Sequence, residues 1–182
     1  QMCIRDRILD TGTRRGLVGS AYNERRAQVD AAAKALGVEV LRDVDPATLE
    51  ARGHELDPTV RRRARHVVLE NARVLRAADA MRRGDAAETG RLMNDSHASL
   101  RDDFEVSGPA LNAIVEIARE QDGCHGARMT GAGFAGCAVA LVAEDAVAAF
   151  VPEVEARYRE ATGNEPALYP VVATAGAGRM DG

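Results

Sequence analysis

Arg128-Met129-Thr130-Gly131-Ala132-Gly133-Phe134-Ala135-Gly136-Cys137, running into Ala138-Val139-Ala140-Leu141-Val142, is the stretch whose reading decides the fold. Its three glycines fall at spacings of two and three residues, and an apolar run with β-branched residues follows. Without Cβ atoms such a loop reaches positive φ and lets the backbone approach a ligand or a neighbouring segment closely. Its successive N–H groups can line an anion-binding concavity. A dinucleotide fingerprint needs strand, then loop, then helix. Here the residues after Cys137 have the pattern of a strand, which excludes that assignment. The loop itself fits two descriptions: a phosphate-side loop, or a tight turn packed against neighbouring structure.

Working outward, Gly126 to Thr130 is expected to enter the loop as a strand and Cys137 to Val142 to leave it as another, a hairpin-like pair. Downstream, Glu144 to Thr162 has helical periodicity through Val147, Phe150, Val151, Val154 and Tyr158, with Pro152 as a candidate kink. Leu168 to Ala173 reads as a last short strand, and the Gly/Ala-rich residues beyond as a loose tail.

Upstream the chain is mostly helical. Leu17 to Leu36 carries an apolar stripe of Ala21, Val29, Ala32, Ala33 and Leu36. Asp45-Pro46 opens a short helix through Arg52. Asp57-Pro58 pairs an N-cap carboxylate with proline at the first helical position, and a helix to about Arg83 follows. Its stripe is Val60, Ala64, Val67, Val74, Ala78 and Met81, with Val68 and Leu75 beside it. Arg61, Arg62, Arg63 and Arg65 are expected on its solvated face. Asp85 starts a helix through Leu100, and Pro109 another ending at Asp122-Gly123. Ile8 to Thr13 is a short strand. Together these elements predict an α+β fold, with helices packed on one face of a mainly antiparallel sheet.

The 182 residues suffice for one sizeable domain. With 3% aromatic residues and no Trp, the core must rest on Ala, Val and Leu. The net charge of −4 gives no electrostatic basis for nucleic acid or an anionic membrane as partner. Lys34 is the only lysine, a bias of base composition before it is chemistry. Three cysteines without metal-ligand spacing suit a reduced cytoplasmic protein. No apolar run approaches the length of a membrane span. Gln1 to Arg7 lacks the apolar core of a signal peptide and opens without Met, so residues 1–7 are expected to be foreign or truncated sequence.

Two side chains admit more than one role. Tyr22 is either a boundary residue beside solvated Arg25 and Arg26, or a phenol presented to a ligand. His97, in the polar segment Met93 to Leu100, suits a structural histidine, a base or a ligand, the structural role being favoured because it has no partner in sequence.

Four segments in order resemble the galactokinases, within the family of small-molecule kinases that also includes the homoserine, mevalonate and phosphomevalonate kinases. They are Ser20 to Arg26 (SAYNERR), Arg65 to Arg73 (RHVVLENAR), Met93 to His97 (MNDSH) through Val106-Ser107, and Arg128 to Cys137. The last matches the family's third motif, a glycine-rich loop beside the active site. The resemblance covers nearly everything from Ile8 onward. It implies the C-terminal half of the small-molecule kinase fold: residues 8–16 a remnant strand of the absent N-terminal domain, 17–175 the C-terminal kinase domain, 176–182 the tail.

The implied activity of the intact parent is phosphorylation of the anomeric hydroxyl of galactose, using ATP and Mg²⁺ bound mainly by the other half. By resemblance Tyr22 contacts the sugar, and Thr130, Gly131, Ala132, Gly133, Phe134 and Gly136 form the active-site loop. No catalytic residue is assigned. Asp10, Asp95 and Asp102 do not match the family's base, and His97 and Arg128 receive no role. The segment alone is expected to be inactive, with an orphan strand edge at residues 8–12 and exposed apolar surface. Two alternatives share the resemblance: a non-catalytic sugar-binding or sensor protein, and a kinase for a related hexose or hexosamine. This sequence departs from the galactokinase pattern at Ala135, where Gly is usual, and at Gly108 and Asn112, where Cys and Asp are expected. A methyl at 135 costs about 1 kcal/mol or more if φ there is positive.

Overall fold

In the computed structural model, residues 4–14 and 19–171 are described. Strand β1 is Ile4–Asp10. Helices α1 (Gly19–Leu36), α2 (Pro46–Arg52), α3 (Pro58–Arg82), α4 (Ala86–Asp102) and α5 (Pro109–Arg119) follow. The chain then runs through β2 (Cys124–Met129), β3 (Cys137–Ala143), α6 (Val147–Thr162) and β4 (Ala167–Val171). Aspartates start three of the helices as side-chain caps. Asp45 accepts from the Thr48 N–H, Asp57 from those of Thr59 and Val60, and Asp85 from that of Glu88. Each satisfies N–H groups that a helix start leaves without partners. α6 continues past Pro152 without interruption.

The four strands form one antiparallel sheet in the order β2-β3-β1-β4. The strand expected at residues 8–13 is therefore β1, and it is not an orphan edge: it pairs with β3 on one side and β4 on the other. Its register aligns Leu9 with Ala138 and Leu168, and Ala138 in turn faces Met129. Leu9, Ala138 and Leu168, with the buried Ala127 and Ala140, pack against Ile114 and Val115 of α5 and Phe150, Val154 and Tyr158 of α6, while Met129 packs with Leu100, Val106 and Leu111. Alanine on the sheet leaves room for the larger helix side chains, which is how a chain so poor in aromatics fills its core. The Tyr158 hydroxyl is buried and donates to the Thr11 carbonyl oxygen at 3.0 Å.

β2 is an edge strand, and α4 covers it. The Ala127 and Met129 N–H groups donate to Asn94 Oδ1 (3.0 Å) and His97 Nδ1 (3.2 Å). Two side chains one helical turn apart thus close an edge that would otherwise offer unpaired donors. The helix lies so close that a Cβ at Gly90 would overlap the His125 carbonyl, and one at Gly126 the Gly90 carbonyl. Those two positions admit only hydrogen.

A second cluster joins α1, α2 and the first half of α3 through Ala32, Leu36, Leu49, Ala64 and Val68. The expected stripe of α3 does not continue beyond it. Val74, Leu75 and Met81 are exposed, whereas Ala80 in the same half of the helix is buried. No helix among the described residues is long and apolar enough to cross a membrane.

Candidate functional site

A pocket of about 320 Å³ opens between α1, the turn after α4 and the glycine-rich loop. Tyr22, Arg25 and Arg26 line it from α1, Phe104 and Val106 from the turn, and Gly131, Ala132 and Phe134 from the loop. Tyr22 is 56% exposed, so its phenol is presented rather than packed. The structure thus brings Tyr22 and part of the loop to one cavity across 109 residues of sequence.

One side of the loop is the packed turn its sequence allowed, and the other is open. One side is fastened: the Phe134 N–H donates to the Val106 carbonyl at 2.6 Å, Thr130 N–H to Cys137 at 3.0 Å, and the Thr11 N–H and hydroxyl both to Gly136, at 3.0 and 2.7 Å. Gly133 has φ +82°, and a Cβ there would overlap the Val106 carbonyl. The other side is open. Gly131 and Ala132 are exposed, and Thr130, Gly131, Gly133 and Gly136 line a second cavity of about 410 Å³ with Thr13 and Arg14. Arg14 forms a two-pronged pair with Asp10 at 2.9 and 3.0 Å. The departure at position 135 carries no φ cost, since among the described non-glycine residues only Glu105 and Phe134 have positive φ. At Gly108 a Cβ would sit 2.8 Å from the Phe134 carbonyl oxygen, so the loop approaches closer than a cysteine there would allow without a shift. Asn112 accepts the Ser107 hydroxyl at 2.6 Å.

Sequence reasoning gave no role to the turn that forms the pocket's third wall, although that turn lies inside one of the four resembling segments. Arg25 is not solvated: its Nε donates to the Phe104 carbonyl at 2.7 Å and its Nη2 to that of Glu105 at 3.2 Å. Arg63 is 2% exposed, a correction to the solvated face expected for 61–65. It donates to Gln28 Oε1 (2.9 Å), the Asp103 carbonyl (2.6 Å) and Glu105 Oε2 (2.6 Å). The signal was available, because position 63 lies three after Val60 and four before Val67 and so on the apolar stripe. Arg65 does stand at the surface and pairs with Asp103 at 2.7 Å.

His66 and His97 are both buried. Ser99 donates its one proton to Asp103 Oδ2 at 3.1 Å, so it must accept from His66 Nδ1 at 3.0 Å. The His66 ring also stacks on Phe104, centroids 4.6 Å apart. His97 holds the opposite tautomer, because its Nδ1 accepts the Met129 N–H and the proton must sit on Nε2. Burial pushes both rings down to about 4, with Arg101 the next cause at His97. His97 is thus a strand-edge acceptor, the structural role. Arg128 donates to the Met129 carbonyl and lies 3.7 Å from Glu70.

None of the three unassigned aspartates has a base's environment. Asp10 is held below the usual carboxylate range by Arg14, and Asp102 by Arg101. Asp95 pairs with Arg91 at 3.0 Å. Among the described residues no group of three His, Cys, Asp or Glu side chains could hold a metal ion.

Residues 77–160 match the family described as GHMP kinases C terminal. The chain overlays a crystal structure of Lactococcus lactis galactokinase complexed with galactose at a TM-score of 0.90 and 40% identity, covering 93% of this chain and 45% of that one. The chain is similar to the C-terminal part of galactokinases. Among curated GHMP kinases it is 47% identical to the galactokinase of Roseiflexus sp. (strain RS-1) over 178 residues, 95% of this chain and 46% of that protein. It is 44% identical to the galactokinase of Clostridium acetobutylicum over 180 residues, 96% of this chain and 46% of that protein. The chain spans about half the length of the curated relatives it matches. A mevalonate kinase of L. major, complexed with R-mevalonate, shares the fold at a TM-score of 0.57 and 22% identity, covering 92% of this chain and 41% of that one.

Proposed function

We propose that this chain supplies the C-terminal part of a cytoplasmic galactokinase, which transfers the γ-phosphoryl group of ATP to the anomeric hydroxyl of galactose. The observation that carries this reading is the convergence of Tyr22 and the loop residues Gly131, Ala132 and Phe134 on one pocket. It is joined by the galactokinase identity of the two curated relatives at 44–47%.

In such a transfer the sugar oxygen bonds to phosphorus as the bond to the ADP oxygen breaks, and a carboxylate takes or orients the hydroxyl proton. Catalysis then rests on positioning and on donors aimed at the phosphoryl oxygens. This chain's part is positional. Tyr22 offers a phenol to a sugar hydroxyl, and the open side of the loop brings backbone to the phosphates. The residues described do not fit a magnesium site, having no cluster of carboxylates for a hard cation. Asp10, Asp95 and Asp102, each paired with an arginine, are not poised as a base. In this reading Mg²⁺ and the proton acceptor are supplied mainly by the other half of the enzyme.

The 182-residue chain by itself is expected to show no ATP-dependent phosphorylation of galactose, measured by ADP release against a galactose-free control. Turnover that co-purifies with the folded chain through two orthogonal columns would refute this division of labour.

A further inference from the structure

The only two non-glycine residues with positive φ among those described are Glu105 (+55°) and Phe134 (+67°). They lie 29 residues apart in sequence. One hydrogen bond joins their neighbourhoods, from the Phe134 N–H to the carbonyl of Val106 at 2.6 Å. Left-handed backbone costs an L-residue about 1–2 kcal/mol and persists only where the surroundings over-determine it. Here what over-determines it is visible. Glu105 is gripped by Arg62 Nη2 at 3.0 Å and by the buried Arg63 Nη2 at 2.6 Å. Arg25, one turn after Tyr22 on the same helix, holds the Phe104 and Glu105 carbonyls.

We propose that Glu105 is a positioning residue: its carboxylate, locked between Arg62 and Arg63, fixes the turn that sets Tyr22's helix and the glycine-rich loop at their working separation. The proposal rests on the reading of Tyr22 and the loop as the two sides of one site. The chain of force is short. The arginines hold Glu105, Glu105 fixes the left-handed turn, and the turn aims the Val106 carbonyl at Phe134. Gly133 must then lie against that carbonyl, where no side chain fits. A purely space-filling turn would not need a carboxylate. It would be served better by glycine, which adopts φ +55° without strain.

Amide hydrogen exchange on the full chain tests this without any ligand, so its failure is separable from failure of the functional reading. Two variants are compared with the parent. Glu105→Gln keeps the shape but can accept from only one of the two arginines. Glu105→Gly relieves the φ strain and removes the carboxylate. In both, exchange at the Phe134 amide is expected to rise about tenfold or more, as for loss of a charge-assisted hydrogen bond. The amides of Val115 and Val142, in the core, should stay within about twofold, since that core does not touch the turn. Unchanged exchange at Phe134 in Glu105→Gly would overturn the proposal, and so would core amides accelerating in step with it.

Discussion

Acidification from pH 6.5 to about 4 is expected to remove on the order of 3 kcal/mol of stability for each of two histidines, His66 and His97. Both are neutral in the fold for identifiable reasons. His66 is buried under Phe104 with its Nδ1 proton committed to Ser99, and His97 is buried with its Nδ1 lone pair committed to the Met129 N–H. Protonating either ring places a charge where burial opposes it, and at His97 it also destroys the acceptor that closes the sheet edge. In the unfolded chain both rings titrate near 6.5. Between that value and about 4 the unfolded state therefore binds more protons than the folded one, so stability falls as pH falls. Below that window, carboxylates such as Glu105, held low by Arg63, add to the loss in the same direction. Asp6, raised by burial, opposes it slightly. For a chain of this size each kcal/mol moves Tm by about 2–4 °C. Thermal unfolding at half-unit steps of pH should show the decline, and the ring proton signals should place both midpoints near 4. A ring titrating near 6.5 in the folded protein would contradict the burial argument for that residue.

Gly133→Ala is expected to cost about 2–5 kcal/mol, the sum of left-handed strain (about 1–2) and overpacking (about 1–3). The backbone there has φ +82°, and the new methyl would lie 2.2 Å from the Val106 carbonyl oxygen. Relief requires the loop to lift from the turn and lose the hydrogen bond from Phe134. Gly131→Ala separates the two causes, because its φ is +76° but no atom lies within 4 Å of a Cβ. It should cost only the strain, about 1–2 kcal/mol. Equilibrium urea unfolding of both variants measures the difference. Equal losses would show that the loop does not bear on Val106 as described.

Much of the fold was legible in the sequence because it is written in local chemistry. Asp57-Pro58 marks a helix start whatever surrounds it, and the glycine loop followed by Ala138 to Val142 marks a strand that leaves a turn. The two inner strands were harder to place. Nothing near Ile8 tells that its partners lie at Val139 and Tyr169, because pairing is set by the sheet and not by the strand. The second half of α3 misled for a related reason: periodicity says which side of a helix is apolar, not whether anything covers it, and Val74 and Leu75 remain bare. At the candidate site, Tyr22 and residues 130–136 were found by resemblance. The wall between them, Phe104 to Val106, lies inside a resembling segment, but its role was not legible because it acts through carbonyl oxygens that any sequence possesses. Arg25 and Arg63 reveal it only once their partners are known.

The most direct measurement is made on a hybrid that joins this chain to the N-terminal half of the Roseiflexus galactokinase, with and without Tyr22→Phe. Initial rates of galactose phosphorylation by ATP are recorded for both, after circular dichroism and melting confirm that each is folded. The expected result is galactose-dependent turnover, with the KM for galactose raised about tenfold by Tyr22→Phe, as for one lost hydrogen bond, and kcat within a few-fold. A folded hybrid that turns over galactose with the same KM in both forms would contradict the placement of the sugar against Tyr22, and a folded hybrid with no turnover would contradict the kinase reading itself.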